Sequence, residues 1–154
     1  LLENAFIKAE TVYRETGIPS LADDTGLEIK ALGGEPGVFS ARYAGEEATF
    51  DDNCNKVLSK LTQTGTSDRS ACFRTVIAFV NGAEKLHCEG SVDGEIIDKK
   101  IGNYGFGYDP IFYYPKMKKT FAELNKDEKN NVSHRGIALR NFCKILEKQL
   151  NHES

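Results

Sequence analysis

The run ACFRTVIAFV at 71–80, which is followed at once by Asn81-Gly82, constrains the fold more than any other stretch of the sequence. Its β-branched and aromatic residues favour a strand, and Asn-Gly is the preferred dipeptide of a two-residue hairpin turn. Residues 85–89 are therefore predicted to return as the partner strand, and residues 91–97 to add a further strand, broken at Gly94. We expect these segments to form the antiparallel part of a mixed β-sheet.

On both sides of this strand-forming region, segments with apolar residues at helical spacing predict helices. Residues 3–16 read as a helix that ends at Gly17, and Thr49 is predicted to open a second helix that stops at Gly65. A short helical turn is expected at 120–123, a polar connector at 126–131, and a last helix from residue 133. The pattern predicts an α/β protein with a central mixed, twisted sheet flanked by helices. A length of 154 residues favours a single domain that spans residues 1–154.

Composition narrows the classes of function. With 40% hydrophobic and 28% charged residues and no apolar run long enough for a bilayer, the sequence predicts a soluble protein without a membrane partner. A net charge of -3 argues against binding to a nucleic-acid backbone, which favours a basic surface. The four cysteines are widely spaced and show no CxxC pattern, which indicates free thiols in a reducing cytoplasm.

Two adjacent carboxylates, Asp23 and Asp24, lie where an apolar strand is expected to run into a glycine-bearing turn. Neighbouring anions repel each other, and Asp is a poor strand former, so folding alone does not favour the pair. A divalent metal with a phosphate is the natural partner for such a pair. The simpler interpretation is that an Asp-Asp pair only forms a turn.

Three polar clusters stand out along the chain. The first contains the carboxylates of Glu3, Asp23 and Asp24, and the second is Phe-Gly-Tyr-Asp at 106–109, inside an aromatic, glycine-rich stretch. The third is basic and contains Lys129, His134 and Arg135. Brought together they would form a nucleotide site with metal ligands, a stacking surface and cations. Each has an ordinary alternative: a solvated acid or favourable helix N-terminal charge for Glu3, core packing for the aromatic residues, and a solvated lone histidine.

At these same places the chain resembles the inosine triphosphate pyrophosphatase family, which cleaves deaminated purine nucleoside triphosphates to monophosphate and pyrophosphate. The matching segments are ENAFIKA at 3–9, LADDTGLEIKALGGEPGVFSARYAG at 21–45, GFGYDPIF at 105–112 and SHRGIAL at 133–139. They follow the family's order and cover the chain nearly end to end. The resemblance implies two lobes with the active-site cleft between them, a homodimer, and ITP, dITP or XTP as substrate.

The resemblance also implies roles for individual residues. Asp24 is expected to be the metal ligand and proton acceptor, and Glu3 the second acidic ligand of Mg²⁺, whereas Asp23 supports its neighbour or holds the turn. Thr25 occupies a substrate-contacting position at which Ser is more common. The other implied nucleotide contacts are Phe106, Gly107, Tyr108, Asp109, Lys129, His134 and Arg135.

One feature of the family has no counterpart before Glu3. The family begins with a strand and a loop of pattern [ST]-x-N-x-x-K that grips the triphosphate, so we expect this chain to lack its N-terminal phosphate-binding segment. A second hypothesis follows from that absence: a non-catalytic, nucleotide-binding remnant. A pyrophosphatase for pyrimidine or modified nucleotides is a weaker alternative, because the SHRG and GFGYDP segments are typical of the purine branch.

Overall fold

The structure is a computed structural model that describes residues 1–153 of the 154-residue chain. Within them the strands form one five-stranded sheet in the order β1-β2-β3-β4-β5. The strands are Ser20–Ile29 (β1), Ser70–Asn81 (β2), Glu84–Ile96 (β3), Phe112–Tyr114 (β4) and Lys119–Thr120 (β5). The α/β class is confirmed. Every strand pairing among the described residues is antiparallel, so the parallel component of the expected mixed sheet is not seen in them.

Four α-helices pack around this sheet in the described part of the chain. They are Leu2–Thr16 (α1), Phe50–Thr64 (α2), Lys126–Val132 (α3) and His134–Glu153 (α4). The predicted first, second and last helices are confirmed, as is the helical turn over Phe121–Glu123. No described helix has both the length and the apolar character that crossing a bilayer requires.

The strand that carries the acidic pair differs from its prediction. β1 does not turn after Asp24 but continues to Ile29, with Asp23 opposite Ile77 and Asp24 opposite Val76 on β2. The low strand propensity of Asp is overridden here by tertiary contacts, because each carboxylate meets a cation from a different helix. The predicted turn at this position was therefore wrong.

Two further local predictions were also wrong. β3 runs unbroken through Gly94, where a Cβ atom would lie 2.6 Å from Cζ of Phe112, so the glycine makes room for that ring rather than ending the strand. The expected polar connector at 126–131 is helix α3. It has no buried residue, but Asn125 and Glu128 form a capping box that satisfies its first amide groups.

Helices α1 and α4 cover opposite faces of the sheet. Ala5 and Ala9 of α1 pack against Val76, Ala78 and Val80 of β2, whereas Ala138 and Phe142 of α4 pack with Ile77 and Cys88. Side chains alternate between the two faces along a strand, so even and odd positions of β2 reach different helices. The same alternation in β1 positions the candidate site.

The packing of α4 on β3 depends on Gly90. A Cβ atom at this position would lie 2.4 Å from the amide nitrogen of Ala138 and 2.4 Å from the carbonyl oxygen of His134. Glycine therefore lets the helix backbone lie directly on the strand. This close approach holds the first turn of α4, which carries two of the candidate site residues, against the sheet.

Candidate active site

Strand β1 places its two acids on opposite faces of the sheet. Asp23 points toward α4, where its Oδ2 lies 3.5 Å from Nε of Arg135. Asp24 points toward α1, where its Oδ1 lies 3.1 Å from Nζ of Lys8. Thr25, on the same face as Asp23, forms a hydroxyl–hydroxyl hydrogen bond of 2.8 Å with Thr75 of β2. The alternation of the strand thus gives the two adjacent carboxylates different surroundings.

Helix α1 fixes the Asp24 carboxylate. The Asp24 side chain is 17% exposed. Besides its contact with Lys8, it accepts a hydrogen bond of 3.3 Å from Nδ2 of Asn4. Lys8 also donates to the backbone carbonyl of Asp23 at 2.9 Å. Sequence reasoning missed both Asn4 and Lys8. Their separation of four residues within ENAFIKA, which places them on one helix face, was the signal that could have identified them.

The carboxylates of Asp24 and Glu3 are oxygen ligands of the type that Mg²⁺ prefers. Glu3 is an exposed residue in the first turn of α1, directly before Asn4. The described residues contain no group of three or more His, Cys, Asp or Glu side chains placed to hold a metal ion. Mg²⁺ is commonly bound by only one or two carboxylates plus water and substrate phosphates.

A cavity of about 460 Å³ opens on the face of the sheet that carries Thr25. This volume lies in the range typical of small-molecule sites. Its walls combine aromatic rings with a few polar groups. They include Thr25, Ser40, Phe50, Phe73, Tyr104, Phe106, Gly107, Tyr108, Asp109, Lys129, Ser133, His134 and Arg135. Every nucleotide contact implied by the resemblance therefore lines this one cavity.

The loop before β4 presents Phe106 to the cavity. Gly105 and Gly107 both have positive φ, of 74° and 62°. Phe106, which lies between them, is 51% exposed. Its amide donates to Oδ2 of Asp109 at 3.0 Å. A Cβ atom at Gly105 would lie 2.1 Å from the same Oδ2, so only glycine leaves room for this turn. The buried Tyr108 anchors the loop by donating to the carbonyl of Ser40 at 2.6 Å.

A buried ion pair supports the same loop. Nζ of Lys129 pairs with Oδ2 of Asp109, which is almost fully buried. Burial raises the pKa of the Asp109 carboxyl above its usual value, and the Lys129 ammonium and the Phe106 amide act in the opposite direction. The Lys129 Nζ also lies 4.6 Å from the centroid of the Phe106 ring, and Cζ of Arg135 lies 5.2 Å from it. Two cations thus cluster at the exposed ring.

His134 is buried rather than solvated. The residue is 6% exposed, and its ring stacks on Phe73 with centroids 4.5 Å apart and planes 12° apart. Burial, with Arg135 and Lys129 nearby, lowers the pKa of His134 to about 3, so the imidazole is neutral at physiological pH. No group in the described part of the chain hydrogen-bonds to its buried Nδ1 atom. A neutral, unpaired imidazole in a cavity wall is suited to contact a polar edge of a ligand.

The structure joins the second and third polar clusters to one member of the first, Asp23. Asp23 contacts Arg135, Arg135 and Lys129 approach Phe106, and Lys129 pairs with Asp109. Asp24 stands apart from them on the α1 face, and it does not line the cavity. In the described sheet β1 pairs with no strand other than β2. Thr25 lines the cavity and directly follows Asp24 in β1, so a ligand that contacts both residues must pass from one face of this strand to the other.

Comparison with known proteins gives a consistent family. Residues 1–145 match the model of the Ham1 family. A dITP/XTP pyrophosphatase from Desulfotalea psychrophila is 50% identical over 159 residues, which cover 98% of this chain and 70% of the relative. One from Coxiella burnetii is 50% identical over 148 residues, which cover 94% of this chain and 74% of the relative.

Solved structures agree with these sequence matches. A HAM1 protein from Coxiella burnetii superimposes with a TM-score of 0.92 at 49% identity, covering 96% of this chain and 76% of that one. The Ham1 protein of Staphylococcus aureus superimposes with a TM-score of 0.91 at 46% identity, with the same coverage of both chains. The similarity therefore extends from the short segments quoted above to the arrangement of the whole described chain.

Proposed function

Because this chain belongs to the Ham1 family, we propose that it hydrolyses the non-standard purine nucleoside triphosphates ITP, dITP and XTP to the nucleoside monophosphate and pyrophosphate. Curated relatives at about 50% identity, which it matches over 94–98% of its length, are dITP/XTP pyrophosphatases. The observation that carries the proposal is the meeting, in one cavity, of Phe106, Lys129, His134 and Arg135, with Asp24 just across strand β1. These relatives favour an enzyme over the non-catalytic alternative.

The two faces of β1 suggest how the nucleotide lies. The purine enters the cavity against Phe106, and the triphosphate crosses the edge of the strand near Thr25 toward Asp24. Lys8 and Asn4 hold the Asp24 carboxylate by contacts of 3.1 and 3.3 Å. Because the Lys8 ammonium lies beside Asp24, it also attracts the oxygens of a phosphate bound there. Base recognition and phosphate chemistry are thus divided between the α4 side and the α1 side of one strand.

Selection for a deaminated purine rests on the 6-position of the ring. Hypoxanthine and xanthine present a carbonyl oxygen there, which can accept hydrogen bonds from the Arg135 guanidinium or from the neutral His134. Adenine presents an amino donor instead, which leaves the donors of the site unpaired. A site built around hydrogen bonds rejects such a mismatch strongly, because its polar groups then remain buried without a partner.

Asp24 serves as the proton acceptor of the reaction. Its carboxylate takes a proton from a water molecule, whose oxygen forms a bond to the α-phosphorus as the bond to the bridging oxygen breaks and pyrophosphate departs. Glu3 and Asp24 would hold Mg²⁺, which supplies charge neutralisation for the leaving pyrophosphate. Asp23 takes no part in this step, since it faces α4 and orients Arg135.

We infer a single catalytic domain over 1–154 and a homodimer in the cytoplasm, with a purine nucleotide as the small-molecule partner. All four cysteines are free thiols, which supports a reducing compartment. Size-exclusion chromatography with light scattering measures the dimer directly, and a monomeric mass at micromolar concentration would contradict it.

A panel of nucleoside triphosphates tests the activity. Pyrophosphate release from ITP, dITP, XTP, GTP, ATP and UTP is measured for the 154-residue chain with Mg²⁺ and with EDTA. We expect turnover of ITP, dITP and XTP that requires Mg²⁺ and falls at least about 100-fold in Asp24→Asn, since a proton acceptor contributes factors of this size.

Asp23→Asn is the matched control for this test. It changes the neighbouring carboxylate and is expected to affect KM through Arg135 while retaining most of kcat. Normal turnover by Asp24→Asn would refute the role given to Asp24. Nucleotide binding without any pyrophosphate release would favour the non-catalytic alternative.

A further inference from the structure

The first residue of helix α2, Phe50, has no place in the hydrophobic core. It lies on the same helix face as Cys54, Val57 and Leu61, which are buried, yet Phe50 itself is 58% exposed. The apolar stripe of α2 therefore continues past the end of the core. Phe50, at the N-terminal end of this stripe, lines the 460 Å³ cavity instead.

Several contacts hold this end of α2 in place. Thr49 and Asp52 form a capping box, and Nζ of Lys100 pairs with Asp51 and donates to Oδ1 of Asn55 at 2.7 Å. The buried Asn53 binds the segment before the helix, since its side chain accepts from the amide of Ala44 at 2.8 Å. The ring of Phe50 therefore stands on a fixed support rather than on a free loop.

The same helix is tied to the loop that carries Phe106. Sγ of Cys54, one turn after Phe50, donates to the carbonyl of Gly107 at 3.4 Å. The centroids of the Phe50 and Phe106 rings are 6.2 Å apart, with 43° between their planes. The two rings form adjacent, angled walls, because a sandwich around a flat ligand would require parallel rings and a wider gap. A flat ligand lying against Phe106 would bring its edge to Phe50.

We propose that Phe50 is a second aromatic contact for the purine ring, which positions the base and favours two-ring over one-ring bases; this rests on the proposed function. A purine is long enough to touch both angled walls, whereas a pyrimidine against Phe106 leaves Phe50 uncovered. Aromatic contacts with bases tolerate changes in the pattern of ring substituents, since they engage the π surface. Phe50 therefore separates purines from pyrimidines, and the polar groups of the cavity select among purines.

The test compares Phe50→Ala and Phe50→Tyr with the wild type in the 154-residue chain. KM and kcat are measured for ITP and UTP, the Kd of IMP by calorimetry, and the inhibition constant of inorganic pyrophosphate. In Phe50→Ala we expect KM for ITP and Kd for IMP to rise roughly five- to tenfold, at the lower end of the effects of base stacking. We expect kcat for ITP and the pyrophosphate constant to stay within about twofold, as no transition-state contact is lost. Phe50→Tyr should behave as the wild type.

Phe39→Ala is the matched control, because Phe39 is also an exposed phenylalanine, at 53%, but does not line the cavity. It should leave every constant unchanged. An unchanged KM and Kd in Phe50→Ala, or an equal loss for ITP and UTP, would overturn the proposal for Phe50 while leaving the pyrophosphatase activity of the wild type intact. A wild type that neither turns over ITP nor binds IMP would instead refute the proposed function, and the Phe50 proposal with it.

Discussion

The buried His134 makes the stability of this protein depend on pH in a range where few other side chains titrate. The perturbation is a shift from pH 7.5 to pH 5.0. In the folded protein burial lowers the pKa of His134 to about 3, so the ring stays neutral at both values. In the unfolded chain a histidine has an ordinary pKa of about 6.5 and takes up a proton over this range. The unfolded state therefore binds more protons, and stability falls as pH falls.

The size of the loss follows from these two values. Stability is at its full value above pH 6.5, decreases as pH falls below it, and stops decreasing near pH 3, where the folded protein is protonated as well. Between pH 7.5 and pH 5.0 the linkage relation gives a loss of about 2 kcal/mol in the free energy of unfolding. This is a substantial part of the total for a domain of this size.

Urea denaturation followed by far-UV circular dichroism measures this quantity, and the chain contains no tryptophan that would favour fluorescence. The free energy of unfolding is compared at pH 5.0 and 7.5 for the wild type, His134→Gln and His87→Gln. His87 is exposed and serves as the control. We expect His134→Gln to lose most of the 2 kcal/mol pH dependence, whatever its stability at pH 7.5, and His87→Gln to keep it. Equal pH dependence in the wild type and His134→Gln would refute the reasoning.

Two other predictions concern the packing that supports the cavity. Gly90→Ala places a Cβ atom 2.4 Å from the backbone of α4. We expect this variant to destabilise the protein by about 1–3 kcal/mol in urea denaturation and to raise KM for ITP. A stability equal to that of the wild type would contradict this packing. Lys129→Met leaves the buried Asp109 carboxyl without its cation and should cost about 3–5 kcal/mol. Asp109→Asn in the same protein should restore part of that stability, and thermal denaturation of the single and double variants measures the difference.

Local sequence patterns predicted helices α1, α2 and α4 and the central hairpin. Thr49 and Gly65 bound α2 through a capping box and a left-handed glycine, both of which are determined by a few neighbouring residues. The predicted hairpin joins β2 and β3, but its two loop residues are Gly82 and Ala83 rather than Asn81 and Gly82, because Asn81 pairs with Glu84 at the end of β2. Elements whose ends depend on their own residues can be predicted from sequence, because the interactions that define them are local.

Apart from α3, whose capping box is local, the features that were missed depend on contacts between distant segments. The buried position of His134 requires Gly90, which lies more than forty residues earlier and lets α4 approach β3. Phe50 has the spacing of a core residue, and only the position of the 105–109 loop shows that it faces a cavity. The roles of Asn4 and Lys8 depend on Asp24 pointing toward α1 rather than α4. None of these distances is encoded in a local pattern.

The register of β1 determines which of its two acids faces α1 and which faces α4. A shift of one residue in a strand exchanges its two faces, so it would turn Asp24 toward Arg135 and Asp23 toward Lys8. The fully buried Leu27 and Ile29, on the same face as Asp23, oppose that shift because both would leave the core. The Thr25–Thr75 hydrogen bond fixes the same register next to the cavity. The apolar end of β1 thus determines which acid meets the helix that carries Lys8 and which orients the helix that carries Arg135.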